Sequence, residues 1–153
     1  MEIVASREVE ASAGRVWEIV TDLEGFSDVL TAVQRVERVD EGVGFGLGTR
    51  WRETRTMFGR QATEEMEVTV VDPPRSYTVV AVNGSTTYTS TITVEPVGSE
   101  RCALRMSFAG TSRGLAARVL GATVGRLFAG ATRRALQQDV EDIASHAASG
   151  TAS

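Results

Sequence analysis

From Arg50 to Phe108 the chain reads as alternating segments, each ended by a turn signal, and a single long helical pattern follows them. Nothing else in the sequence constrains the fold so strongly. Strand side chains point to opposite faces in turn, so a chain of hairpins builds an antiparallel sheet whose two faces can be read off by parity. The turn signals are Gly59-Arg60, Asp72-Pro73-Pro74-Arg75, Asn83-Gly84 and the stretch PVGSER from Pro96. From Arg113 to about His146, Leu120, Val124, Leu127, Phe128, Ala131, Ala135, Leu136, Val140 and Ile143 recur at steps of three and four. That is the spacing of one helix face. Arg118, Arg126, Arg133 and Arg134 are expected on the wet side of this helix, and His146 at its solvated end.

The hairpins also predict register. In RWRETRTM (50–57), Arg50, Arg52, Thr54 and Thr56 share one face, and Trp51, Glu53, Arg55 and Met57 the other. A turn through Gly59-Arg60 sets Trp51 opposite Val68, Glu53 opposite Met66, Arg55 opposite Glu64 and Arg52 opposite Glu67. A turn through Phe58-Gly59 instead sets Glu53 against Glu64, a like-charge pair that costs stability, so the first register is expected. The Asn83-Gly84 turn then sets Val79 opposite Tyr88 and Tyr77 opposite Ser90. The last hairpin brings Ile92 and Val94 beside Met106 and Leu104, with Phe108 further along the same face.

Before the hairpins, EIVASREVEA reads as a strand, and Ser12 caps a helix carrying Val16, Trp17, Ile19 and Val20. A second short helix spans Phe26, Val29 and Leu30, and VQRVERVD is a strand. The glycines at 42, 44, 46 and 48 lack the register of a phosphate loop, and a strand rather than a helix follows them, so they predict a flexible connection.

Composition removes several chemistries. All sixteen Lys+Arg positions are Arg, which excludes a Schiff-base lysine and a P-loop lysine. One His and one Cys leave little for a catalytic triad or a zinc site. Cys102, by parity with Leu104, is expected to be a small buried hydrophobe. No metal and no cofactor are expected. The net charge of −4 offers no overall positive field for nucleic acid or an anionic membrane. No apolar run is long enough for a stable membrane insertion, and the N-terminus lacks the pattern of a signal peptide, so a cytoplasmic protein is expected, monomer or homodimer. The length of 153 residues suits one domain, 1–146, with 147–153 a disordered tail.

The order strand, two short helices, six strands and one long helix resembles the START-like (SRPBCC) superfamily. Within it, the chain is similar to the small bacterial domains of the polyketide cyclase/dehydrase type. The resemblance rests on VEASAGRVWEIVTDLEGFS (9–27), with its Val16-Trp17 helix and the Asp22-Leu23 and Phe26 turn. Gly46-x-Gly48-Thr49-Arg50-Trp51 and the Asp72 to Arg75 turn also fit. It covers about residues 1–146 and implies an α+β helix-grip fold. In that fold a curved antiparallel sheet of about seven strands wraps around the long helix, with an apolar cavity between.

The family parallel makes the concave sheet face the wall of that cavity. By parity this face carries Trp51, Glu53, Arg55 and Met57, then Glu64, Met66 and Val68, then Tyr77 and Val79. Tyr88, Ser90 and Ile92 follow, then Leu104, Met106 and Phe108. From the helices, Phe26, Leu120, Val124 and Phe128 close it. A buried Arg55 needs a partner, expected in Glu53 or Glu64.

Three functions fit this reading. The chain binds a hydrophobic or aromatic small molecule, lipid- or polyketide-like, with Arg55, Glu53, Glu64, Tyr88 and Ser90 orienting its oxygens. Alternatively it is a polyketide cyclase/dehydratase-like lyase or isomerase, with Glu53 or Glu64 as base and Arg55 or Tyr88 stabilising an enolate. A third alternative is a non-catalytic adaptor that docks on a membrane or a protein and fills the cavity with its own side chains.

Overall fold

The computed structural model describes residues 2–149 except 58, 84, 113 and 114, and leaves the side chains of residues 57 and 112–128 undescribed. The chain runs β1 (Glu2–Val9), α1 (Ala13–Val20), a 3-10 turn (Leu23–Gly25), α2 (Phe26–Val29) and β2 (Val33–Arg38). It continues through β3 (Arg50–Met57), β4 (Arg60–Asp72), β5 (Ser76–Asn83), β6 (Thr86–Pro96) and β7 (Cys102–Ser112) into α3 (Leu115–Ser149). The strands form one antiparallel sheet in the order β1-β7-β6-β5-β4-β3-β2. It is the expected α+β helix-grip fold, with a curved seven-stranded sheet, two short helices after the first strand and a long C-terminal helix.

The helix signals have their structural counterparts. Ser12 caps α1, its hydroxyl accepting from the Arg15 N–H at 3.2 Å. Val16, Ile19 and Val20 then turn inward at helical spacing. On α3 the buried stripe is Leu136, Val140, Ile143, Ala144 and Ala147, and it packs mainly against β1. Arg133, Arg134 and His146 are exposed, as the pattern predicts; Arg118 and Arg126 lie outside the described side chains. An ion pair and side-chain hydrogen bonds fasten the helix at its C-terminal half. Arg7 on β1 contacts Glu141, and Thr31 donates its N–H and its hydroxyl to Asp142, both at 2.9 Å. The helix runs past the boundary expected at 146. Residues 147–149 are helical, with Ala147 fully buried, so a tail beginning at 147 is corrected for those three; residues 150–153 lie outside the described residues.

Two registers differ from expectation. In the β3–β4 hairpin Met57 pairs with Arg60, and Gly59 takes a positive φ of 74° that glycine adopts without a steric penalty. Trp51 therefore faces Met66, Arg52 faces Glu65, Arg55 faces Ala62, and Glu53 faces Glu64. The like-charge cost is offset because each carboxylate has its own partners. Glu53 is drawn along its own strand by Trp51 and Arg55, and Glu64 accepts from Asn83 Nδ2 at 3.4 Å. Asn83 lies within β5, where it pairs with Thr86. Val79 then faces Ser90, Tyr77 faces Ile92 and Ala81 faces Tyr88. Both slips are of two residues, so every side chain stays on its expected face. The β6–β7 hairpin has the predicted pairs Ile92 with Met106 and Val94 with Leu104.

The glycine-rich connection is built rather than slack. Asp40 accepts from the Arg38 guanidinium and from the Gly42 and Arg50 N–H groups, which holds its carboxyl well below the usual range. Gly44 and Gly48, with φ of 78° and 86°, bracket Phe45. Its ring packs on Tyr77 at 4.7 Å and Trp51 at 6.2 Å.

The core between sheet and helices includes Val9, Val16, Leu104 and Val140, all essentially inaccessible, together with Cys102. Leu104 is the largest of the fully buried side chains among the described residues. Leu104→Ala is expected to lower unfolding free energy by about 2–5 kcal/mol, read as a lower urea midpoint at unchanged slope.

Candidate functional site

Between the concave face and α3 lies a cavity of about 500 Å³. Its wall is mostly apolar: Phe26, Trp51, Met66, Tyr77, Val79, Ile92, Met106 and Phe108 line it, with Tyr88 and Ser90 on β6. Glu53, Arg55 and Glu64 also line it. Most of the sheet residues named from parity are thus brought to one surface. Val68 and Leu104 depart from the expectation, being buried in the core and not part of the cavity wall. Met57 and the helix residues Leu120, Val124 and Phe128 lie outside the described side chains.

The large rings gather at one part of the wall. Phe26 meets Trp51 edge-on at 6.0 Å, and Trp17 meets Tyr77 edge-on at 6.0 Å, so Trp17 belongs to the core packing. The Tyr77 hydroxyl donates to the Val20 carbonyl at 2.6 Å, and burial pushes its ionisation far up. It is a structural phenol. Tyr88, by contrast, is half-buried and stacks on Phe108 at 5.5 Å.

The polar centre of the wall is a chain of three charged groups. Trp51 Nε1 donates to Glu53 Oε1 at 3.3 Å, and Arg55 Nε donates to Glu53 Oε2 at 3.2 Å. Arg55 Nη1 reaches across to α3 and donates to both Asp139 oxygens, at 3.1 and 2.8 Å. Glu53 and Asp139 are 6% and 3% exposed, so this is a buried cluster and not a surface pair. The partner of Arg55 is therefore Glu53, as one of the two expectations had it, together with Asp139, while Glu64 faces Asn83.

Asp139 is the residue that strand parity missed. A signal existed in the helix: Thr132, Leu136, Asp139 and Ile143 fall at steps of three and four on the buried stripe, so a carboxylate was bound to lie among apolar neighbours. Burial raises its carboxyl to about 6 despite the opposing pull of Arg55, with Glu53 and Asp142 adding to the rise. For Arg55, burial favours the neutral form, but Asp139 and Glu53 outweigh it and the guanidinium is held charged more firmly than usual. Among the described residues no group of three or more His, Cys, Asp and Glu side chains is placed to hold a metal ion. Nor is any helix among them long and apolar enough to cross a membrane.

Residues 1–148 match the family model described as polyketide cyclase / dehydrase and lipid transport. The chain belongs to that family. Solved structures of similar fold include a protein from Thermus thermophilus, at 19% identity and a TM-score of 0.80 over 100% of both chains. The Zhui aromatase/cyclase from Streptomyces sp. R1128 is similar at 18% identity and a TM-score of 0.81, over 96% of this chain and 93% of that one. A norcoclaurine synthase from Thalictrum flavum is similar at 20% identity and a TM-score of 0.70, over 99% and 96%. Among curated proteins none matches at a significant level. At these identities the solved structures establish the fold, and this member of the polyketide cyclase/dehydrase family must be read from its own cavity.

The charge cluster predicts a pH dependence. The Asp139 carboxyl titrates near 3.8 when unfolded and near 6 when folded, so between these values the folded chain holds the proton and the unfolded chain does not. Its contribution to stability is therefore present at low pH and lost as pH rises from about 4 to about 6. Asp139→Asn is expected to flatten that part of the profile in urea unfolding across the window. Arg55→Met leaves two buried carboxylates without a cation and is expected to cost about 3–5 kcal/mol at pH 7. The same unfolding series at pH 5 should show a smaller loss, because protonation then relieves Asp139.

Proposed function

We propose that the chain binds a hydrophobic or aromatic small molecule, lipid- or polyketide-like, in the cavity between the sheet and α3. The observation that carries this reading is an open space of about 500 Å³ with apolar walls and one buried polar cluster. Ligand cavities typically have volumes of about 300–1,000 Å³ and a few convergent polar groups. The open volume also favours binding over an adaptor, which would fill the space with its own side chains. Family membership and the Zhui aromatase/cyclase fold support the ligand class.

The cluster narrows the polar chemistry of the ligand. Arg55 is already engaged by two carboxylates, so the group carries a net negative charge when both are ionised. An anionic head group such as a fatty-acid carboxylate meets repulsion there, whereas a neutral hydroxyl or ketone oxygen does not.

One observation favours a catalytic version. A general acid or base works best with a pKa near the operating pH, and Asp139, held at about 6 beside a cation, is so placed. On this reading Asp139 moves the proton next to a ligand carbonyl, Arg55 steadies the developing oxyanion, and Glu53 holds Arg55. Asp139 then takes the role first sought in Glu53 or Glu64.

The test is mass spectrometry of freshly purified protein under native and denaturing conditions. A retained mass that disappears on denaturation, and that Ser90→Phe abolishes by filling the cavity, is the expected result. If Ser90→Phe folds and keeps the same retained mass, the cavity is not where the ligand sits. With the ligand identified, Asp139→Asn should lower turnover about 10²- to 10⁴-fold at nearly unchanged affinity. Unaltered turnover would remove Asp139 from the chemistry.

A further inference from the structure

The buried polar residues of the chain include Thr49, Glu53, Thr132 and Asp139. The Thr49 hydroxyl accepts from Gly46 N–H, and Glu53 and Asp139 share Arg55. Thr132 differs: its hydroxyl is buried, the residue is 4% exposed, and the oxygen has no hydrogen-bond partner. A helical threonine can donate to the carbonyl one turn back, as Thr21 at the C-cap of α1 does to the Trp17 carbonyl at 2.7 Å. Other threonines reach side chains, as in Thr54 with Thr63 and Thr78 with Thr91. Thr132 does neither, and it lines the cavity. An unsatisfied buried hydroxyl is costly, and a native structure that keeps one calls for an explanation.

Thr132 precedes Asp139 by seven residues on the same helix, a separation of about 10 Å along the axis. Ala135 and Leu136 lie between them on the cavity wall. The wall of α3 therefore presents a hydroxyl, an apolar stretch and then a charged cluster. We propose that the Thr132 hydroxyl is a second polar anchor of the cavity, selecting ligands with a hydrogen-bonding oxygen at the end remote from Glu53, Arg55 and Asp139. The inference rests on the reading of the cavity as a binding site and adds to it the length and polarity of the ligand. The matching molecule is uncharged, with a rigid apolar body and an oxygen at each end.

Calorimetric titration of the full chain with three probes tests this: biphenyl, para-hydroxybiphenyl, and biphenyl carrying a para hydroxyl on each ring. The wild-type chain is expected to bind the doubly hydroxylated probe about tenfold more tightly than the singly hydroxylated one. Thr132→Val, which keeps the shape and removes the hydroxyl, should erase that step and leave the other two affinities unchanged. Thr132→Ser should retain it. Thr132→Ala serves the same purpose should the valine variant not fold, with the same loss expected. The proposal is overturned if the second hydroxyl brings no gain in the wild-type chain, or if Thr132→Val weakens all three probes alike, which marks a packing role. Binding of none of the three to the wild-type chain overturns the binding reading itself, and this inference with it.

Discussion

Arg55 lies between Glu53 on its own strand and Asp139 on α3, and the site depends on that placement. Burying a guanidinium is expensive, and two carboxylates with well-formed hydrogen bonds offset the cost only while sheet and helix keep their relative position. The contact joins residues 84 positions apart in the chain, and the neighbouring turns of the helix carry their own ties, Glu141 to Arg7 and Asp142 to Thr31. Three charged positions thus hold the C-terminal half of α3 to three different parts of the fold. Since removing one member leaves charge without a partner, the cluster specifies the geometry even where its net energy is small.

The cavity beside this cluster exists because large and small side chains are segregated on the concave face. Trp51, Tyr77, Phe26 and Phe45 crowd one region through ring contacts, and there the interior is filled. Where Ala62, Ala81, Ser90 and Ala135 face inward, the same curvature leaves space. Curvature and strand order come from the fold family; the volume and its polar points come from these individual residues. Fold similarity at about 20% identity therefore establishes the fold and leaves the ligand to these residues.

The cavity is also asymmetric in chemistry. Its charged group is internally satisfied apart from the excess negative charge it carries when both carboxylates are ionised, while the Thr132 hydroxyl is left without a partner. Under the proposed binding function, a neutral, oxygen-bearing ligand complements both features. Burial raises the Asp139 carboxyl to about 6, the feature on which the proposed catalytic version rests.

By itself the sequence determined the elements, roughly where the hairpins turn, and the face on which each of the named strand residues lies. Period-two and period-three-to-four patterns survive any register slip of two residues, so Trp51, Glu53 and Arg55 reached the concave face although both hairpins closed differently from expectation. It also carried the need for a partner to Arg55. Only the tertiary structure decided which partner that is. Local spacing offers Glu53 and Glu64; the crossing of α3 over the sheet delivers Asp139, and no periodicity within one element encodes the distance to another. The folded sheet also accommodates the hairpin register. A direct Glu53–Glu64 pairing is tolerable where Glu53 is held by Arg55 on its own strand and Glu64 by Asn83 on the next strand, and the second contact exists only once β4 and β5 have paired.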